Sequence, residues 1–235
     1  MLNSSGADAI GTSPGRRRPP IPSSIAFIMV LAAAPGPATA QAIIIDEDTT
    51  LSPEGNPYRG IQVRDGASLT GTGLIIEQGD NSRGLQVIDG NADLSGGEIT
   101  HSGTTADGIG VELLSGIVQV SDMTVATFGE GAAGFYLQGG EAAIAGGSVI
   151  THGPASTPVR LRDSGTFTAS NTEIATSDGP GIHVMNSGIV GVTSSTIRSN
   201  ASSLAASFTE TGLIEFILGD GVVAPRSAVP LVERQ

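Results

Sequence analysis

The chain has 235 residues, 34 of them Gly, with no Cys, no Trp, two Tyr and six Phe. Every basic residue is an arginine, 11 against 23 Asp plus Glu, for a formal charge of −12. That balance disfavours nucleic acid and anionic membranes as partners, and a chain without Cys has no disulfide, thiolate metal site or cysteine nucleophile.

Arg16, Arg17 and Arg18 precede an apolar stretch over residues 25–34, and small residues then lead to Ala38-Thr39-Ala40 ahead of Gln41. A positive segment, a short apolar segment and an A-x-A site, in that order, predict a secretory signal peptide over residues 1–40, with Ala38 and Ala40 at the cleavage site. Ten apolar residues cover roughly half of a ~30 Å hydrocarbon core, too little for a stable span. Pro19 and Pro20 follow the arginines where a twin-arginine signal carries a hydrophobic pair, so the general export route is expected. The product is expected at the cell surface, in the extracellular space or in the periplasm.

Downstream the sequence repeats. Arg59-Gly60-Ile61-Gln62-Val63 returns as Arg83-Gly84-Leu85-Gln86-Val87. It recurs as Gly108-Ile109-Gly110-Val111, Gly134-Phe135-Tyr136-Leu137, Pro158-Val159-Arg160-Leu161 and Gly181-Ile182-His183-Val184, with a weak copy at Ala205-Ala206-Ser207-Phe208. Starts at 60, 84, 108, 134, 158, 181 and 205 set a period of about 24 residues. A second motif keeps step: Leu94-Ser95-Gly96-Gly97-Glu98-Ile99, Val120-Ser121-Asp122-Met123-Thr124-Val125, Ile144-Ala145-Gly146-Gly147-Ser148-Val149 and Val192-Thr193-Ser194-Ser195-Thr196-Ile197. A glycine column, Gly66, Gly90, Gly116, Gly140, Gly165, Gly188 and Gly212, separates the two and marks a sharp corner.

Each unit thus holds short strands of period two, broken by Gly, Ser, Asn and Asp. One unit cannot bury its inward residues alone; stacked at ~4.8 Å, successive units pair each strand with its counterparts above and below. The predicted fold is all-β, a parallel β-helix solenoid of about seven ~24-residue rungs over residues 41–222, followed by an irregular tail at 223–235. Ile61, Leu85, Ile109, Phe135, Val159 and Ile182 are expected to form one interior column, and Val63, Val87, Val111, Leu137, Leu161 and Val184 its neighbour. Gly90 and Gly140 are expected in left-handed backbone conformations. Residues 43–58 are expected to cap one end.

A cleavable signal followed by rungs of G-[IL]-x-[VL], a glycine corner and [LVI]-x-G-G-x-[IV]-x-T resembles the passenger domain of pertactin-like autotransporters. Gly84-Leu85-Gln86-Val87 with Leu94-Ser95-Gly96-Gly97-Glu98-Ile99-Thr100 carries the likeness best, and residues 43–222 share it. The resemblance implies a right-handed coil, a role in adhesion or surface display, and host or neighbouring-cell surface molecules as partners. In that family a C-terminal outer-membrane translocator barrel carries the passenger across; this sequence shows no such segment, and the chain reads as a truncated or split passenger. Two alternatives stand beside this reading, a β-helical polysaccharide lyase or hydrolase and a fragment without independent function.

Lyase and hydrolase sites on β-helices need clustered carboxylates, often with Ca²⁺, and a base on the same face. The chain has no Lys, and His101 and His152 lie two rungs apart, about 9–10 Å along the axis. Both are expected as solvent-exposed corner residues. Asp65, Asp89 and Asp163 approach the glycine corners, where Asp suits the turn. No catalytic residue, cofactor or metal is therefore assigned, and the chain is expected to be non-enzymatic. The outward column of the first motif reads Gln62, Gln86, Gly110, Tyr136, Arg160, His183, Ser207. Tyr136, Arg160 and His183 then fall on consecutive rungs with Arg162 on the same face, a contact patch in which Arg can stack on Tyr. The Arg-Gly-Asp tripeptide of the resembled family is absent.

Overall fold

The computed structural model describes residues 42–79, 82–104 and 108–201, together with the backbone of three further strands, Leu204–Phe208, Ile214–Leu218 and Leu231–Arg234. The signal segment with Ala38 and Ala40 lies outside the described residues, as does Gly212. Strand pairing is parallel throughout, and one 3-10 turn at Pro53–Gly55 is the only helical element among the described residues. The chain is a parallel β-helix solenoid. Each turn puts one strand into a nine-stranded first sheet and the rest into a second sheet that bends round a corner, so the coil has three faces. Ser68–Gln78 and Asn91–His101 run through that bend as single long strands; from the third turn the strand breaks there, as in Ile117–Ser121 and Thr124–Thr127. Six complete turns lie between Ile61 and Arg198 among the described residues, with partial turns on either side.

Residues 43–58 make the first partial turn. Ile43–Ile45 pairs with Ile61–Val63, Thr49–Leu51 pairs with residues 69–71, and Tyr58 bridges to Ile76. At the far end, the tail expected to be irregular contains the strand Leu231–Arg234, which pairs with Leu204–Phe208. Four residues without a glycine corner carry no trace of the repeat, and sequence alone passes over them.

The register differs from expectation at two rungs. Leu85 pairs with Val111, and Val111 with Phe135, so Val111 belongs to the first interior column and Leu113 to the second. Ile109 stands two residues earlier, level with Arg83 and Ala133. Likewise Ile182 pairs with Leu204 and His183 with Ala205, not Ser207. A two-residue shift keeps the inside–outside alternation, so hydrophobic patterning could not detect it. The distance to the corner could: Leu113 precedes Gly116 by the same interval that separates Val87 from Gly90 and Leu137 from Gly140.

The interior is a continuous column of aliphatic side chains from all three faces, with Leu85, Val111, Leu137, Ile99, Val125 and Val149 fully buried. Burial of each contributes roughly 1.5–3 kcal/mol. Two rings fit because their own rungs leave room. Phe135 shares a turn with the small Ala142, and Phe167 sits one turn on, edge to face with Phe135 at 5.5 Å and 62°. The glycine at this place in three successive first-sheet strands, Gly84, Gly110 and Gly134, is also a packing residue: a Cβ at Gly134 would collide with the Val149 side chain and approach the Pro158 carbonyl oxygen at 2.7 Å.

Of the two corners expected to be left-handed, Gly140 is so, at φ +73°. Gly90 is not; there the constraint is space, since a Cβ would press on the Ala67 carbonyl oxygen and come within 2.8 Å of the Val63 side chain. The second corner uses left-handed residues on successive turns, Gly96, Asp122, Gly146, Asn171 and Ser194. Asp and Asn tolerate this conformation better than other residues with a Cβ, which is how the Gly-Gly signature fades along the chain without loss of the corner.

Candidate functional site

The outer surface of the first sheet carries the polar column that the sequence singles out. Backbone register sets Tyr136 beside Arg160 and Arg160 beside His183. Arg162, one turn from Tyr136 and two residues beyond Arg160, folds back so that its Nη1 donates to the phenolic oxygen of Tyr136 at 3.4 Å. Arg162 thus meets Tyr136 through a hydrogen bond to the ring's oxygen. That bond, then the electrostatic interaction with the same phenol, and then the charge of the neighbouring Asp163 push the guanidinium above its ordinary pKa. Arg160 donates from Nη2 to the Gly131 carbonyl at 3.0 Å, which anchors it toward the loop that enters the preceding strand. Tyr136, Arg160 and His183 are half-buried and Arg162 is exposed. All four patch residues therefore lie together on one face.

The residue above Tyr136 is Glu112, not Gly110. Sequence reasoning missed it through the register shift described above. The Glu112 carboxylate accepts from Arg83 Nε at 2.9 Å and from Gln86 Nε2, and Gln86 in turn accepts from Gln62. Each rung supplies the partner of the next, a polar ladder along the first half of the face.

The histidines separate. His152 is exposed and its ring stacks on that of Phe128 at 4.7 Å and 13°. His101 is fully buried, contrary to the expectation of a solvent-exposed corner. Their similar Ile-Thr-His contexts are offset by one residue: His101 pairs with Thr127, and Thr127 with Thr151, which precedes His152. One residue of offset exchanges inside for outside. His101, Thr127, Thr151 and Thr176 form an inward column at the end of the third face.

The acidic corners serve the backbone. Asp65 and Asp163 are themselves left-handed, Asp163 Oδ1 accepts from Asn186 Nδ2 at 3.0 Å, and Asp89 Oδ1 accepts from the Gly66 amide at 3.3 Å. Among the described residues no three of His, Asp or Glu converge in a way that would hold a metal ion. A shallow groove of about 490 Å³ runs along the second sheet, where Ala143 and Gly191 form a low floor beside Gln119, Ser121, Thr168 and Ser170. It is open, and only Asp93 among its lining residues is ionisable. The chain matches no protein-family model, no curated protein and no solved structure.

Proposed function

We propose that this chain is an exported β-helical passenger module of the pertactin-like autotransporter kind, which displays its outer faces at the cell surface or outside the cell and acts in adhesion without catalysing a reaction. The observation that carries the reading is the solenoid itself: six complete turns in continuous parallel register, with polar residues arrayed on a rigid rod. A signal-like segment ahead of the first rung supports export. The patch on the first sheet supplies a contact surface of mixed aromatic and cationic character on an otherwise acidic chain. A translocator barrel encoded with or beside this chain is the partner this reading requires.

Protease shaving of intact producing cells tests it. Rung peptides should be released while cytoplasmic proteins stay intact. Full protection of the chain until the cells are lysed would overturn display. The second-sheet groove, with Asp93 at its rim, is where a lyase or hydrolase reading would have to place its chemistry. A depolymerisation assay on acidic polysaccharides, with and without chelator, decides between the two.

A further inference from the structure

We propose that the surface formed by Tyr136, Arg160, Arg162 and His183 binds the carboxylate of a single acidic sugar carried on an otherwise neutral glycan. This rests on the display reading and names the partner of that same surface. Six arginines have described side chains, and four of them, Arg59, Arg64, Arg83 and Arg198, lie within 4.0 Å of a carboxylate. Arg162 is in none of those pairs: its described partner is the neutral phenol of Tyr136, and the adjacent Asp163 carboxylate is engaged by Asn186. Among the described residues Arg162 lies within 4.0 Å of no carboxylate, and with Asp163 adjacent but bonded to Asn186 its exposed guanidinium still presents its fork to a ligand. The flat guanidinium fork matches a carboxylate in two parallel hydrogen bonds. Tyr136, which Arg162 touches, and His183, which stands beside Arg160, present surfaces that are apolar on the face and polar at the tip, suited to the ring and hydroxyls of a sugar.

The overall charge narrows the choice further. A chain at −12 repels long polyanions, while the exposed Arg162 guanidinium accepts one negative group. An isolated carboxylate on a neutral glycan satisfies both conditions; a polyuronate, a nucleic acid or an acidic peptide does not. The strands fix the backbones of Tyr136, Arg160 and His183 at the rung spacing of ~4.8 Å, so the ordering cost on binding falls mainly on the Arg162 side chain.

Titration of the purified chain with 3′-sialyllactose and with lactose at low salt tests the site. The acidic sugar should bind at least ~10-fold more tightly than lactose, as expected for one charge-assisted pair. Arg162→Ala should remove about that factor, and Arg162→Lys should restore only part of it because the fork is lost. Arg198→Ala, on the other sheet, should change nothing. Equal affinity for the two sugars, equal loss in Arg198→Ala, or preference for polygalacturonate or hexaglutamate would overturn the proposal. A chain that is shaved from intact cells yet ignores sialyllactose overturns this site and leaves display standing. A chain protected in cells that binds sialyllactose through Arg162 supports the site and overturns display.

Discussion

Arg83 and Glu112 stand on adjacent rungs and close an ion pair, Nε to Oε2, at 2.9 Å, with the Glu112 side chain 4 % exposed and that of Arg83 38 %. The asymmetry predicts unequal responses. Arg83→Ala strands a buried carboxylate, whose partner loss would cost 3–5 kcal/mol in a fully buried pair. Half-exposed Arg83 and the remaining Gln86 bond lower the expected loss to about 1–3 kcal/mol. Glu112→Gln removes the charge and keeps the volume, while Arg83 can turn to water, so it should cost less. Urea melts of both variants check the order; an equal or reversed cost would show that the carboxylate is less enclosed than its geometry indicates.

The glycine corners should divide into two classes. Gly66 has φ +76° with nothing within 4 Å of where a Cβ would stand, so Gly66→Ala carries only the left-handed penalty, roughly 1–2 kcal/mol. Gly140 has φ +73°, and its Cβ would also crowd the Gly116 carbonyl oxygen at 2.5 Å and the Leu113 side chain at 3.2 Å. Gly140→Ala should therefore lose clearly more than Gly66→Ala in the same melt. Gly90→Ala, strained by space alone, should fall with Gly140→Ala.

The fold was legible because the same physical requirement recurs every turn. Each rung must present aliphatic residues inward and turn at a corner, and both leave marks in the sequence at a period of about 24 residues. What was not legible shares one cause, that patterning reports alternation and not absolute register. A two-residue slip at Val111 kept every apolar residue inside and concealed Glu112. A one-residue offset between the contexts of His101 and His152 carried one histidine into the interior and left the other stacked on Phe128. The side-by-side placement of Tyr136, Arg160 and His183 was legible because they lie on rungs that the glycine corner at Gly140 and the motif starts place consistently. The Arg162–Tyr136 bond depends on side-chain rotamers, on which the repeat is silent.

Alkaline pH should loosen the first partial turn. Tyr58 is 6 % exposed and donates from Oη to the Ser52 carbonyl at 2.6 Å, tying the Pro53–Gly55 turn to the rung below. Burial raises its pKa above 10.0, only partly offset by that hydrogen bond. A raised folded-state pKa in an acid means the folded state holds its proton longer than the unfolded state. The contribution to stability is then complete below about pH 10 and is lost as pH climbs through the folded value. Tyr58→Phe should cost about 1 kcal/mol at neutral pH and lack this alkaline decline. Melts from pH 8 to 11 check it; parallel pH curves for the two proteins would count against the linkage.

The inward column at the end of the third face sets a final contrast. Thr127 and Thr151 are fully buried, and neither hydroxyl has a hydrogen-bond partner among the described residues. Thr176, one turn further, is satisfied: its Oγ1 donates toward the Ser156 carbonyl at 3.1 Å and accepts from the Asp178 amide at 3.3 Å. A buried hydroxyl without a partner costs about 1–3 kcal/mol of desolvation, whereas a paired one contributes about 0.5–1.5 kcal/mol. Valine replaces threonine at nearly constant volume and suits a strand equally well. Thr151→Val should therefore leave stability unchanged or raise it by up to ~2 kcal/mol, and Thr176→Val should lower it by about 1 kcal/mol. If Thr151→Val is instead the more damaging of the two, the Thr151 hydroxyl is satisfied in solution, most simply by a buried water between rungs.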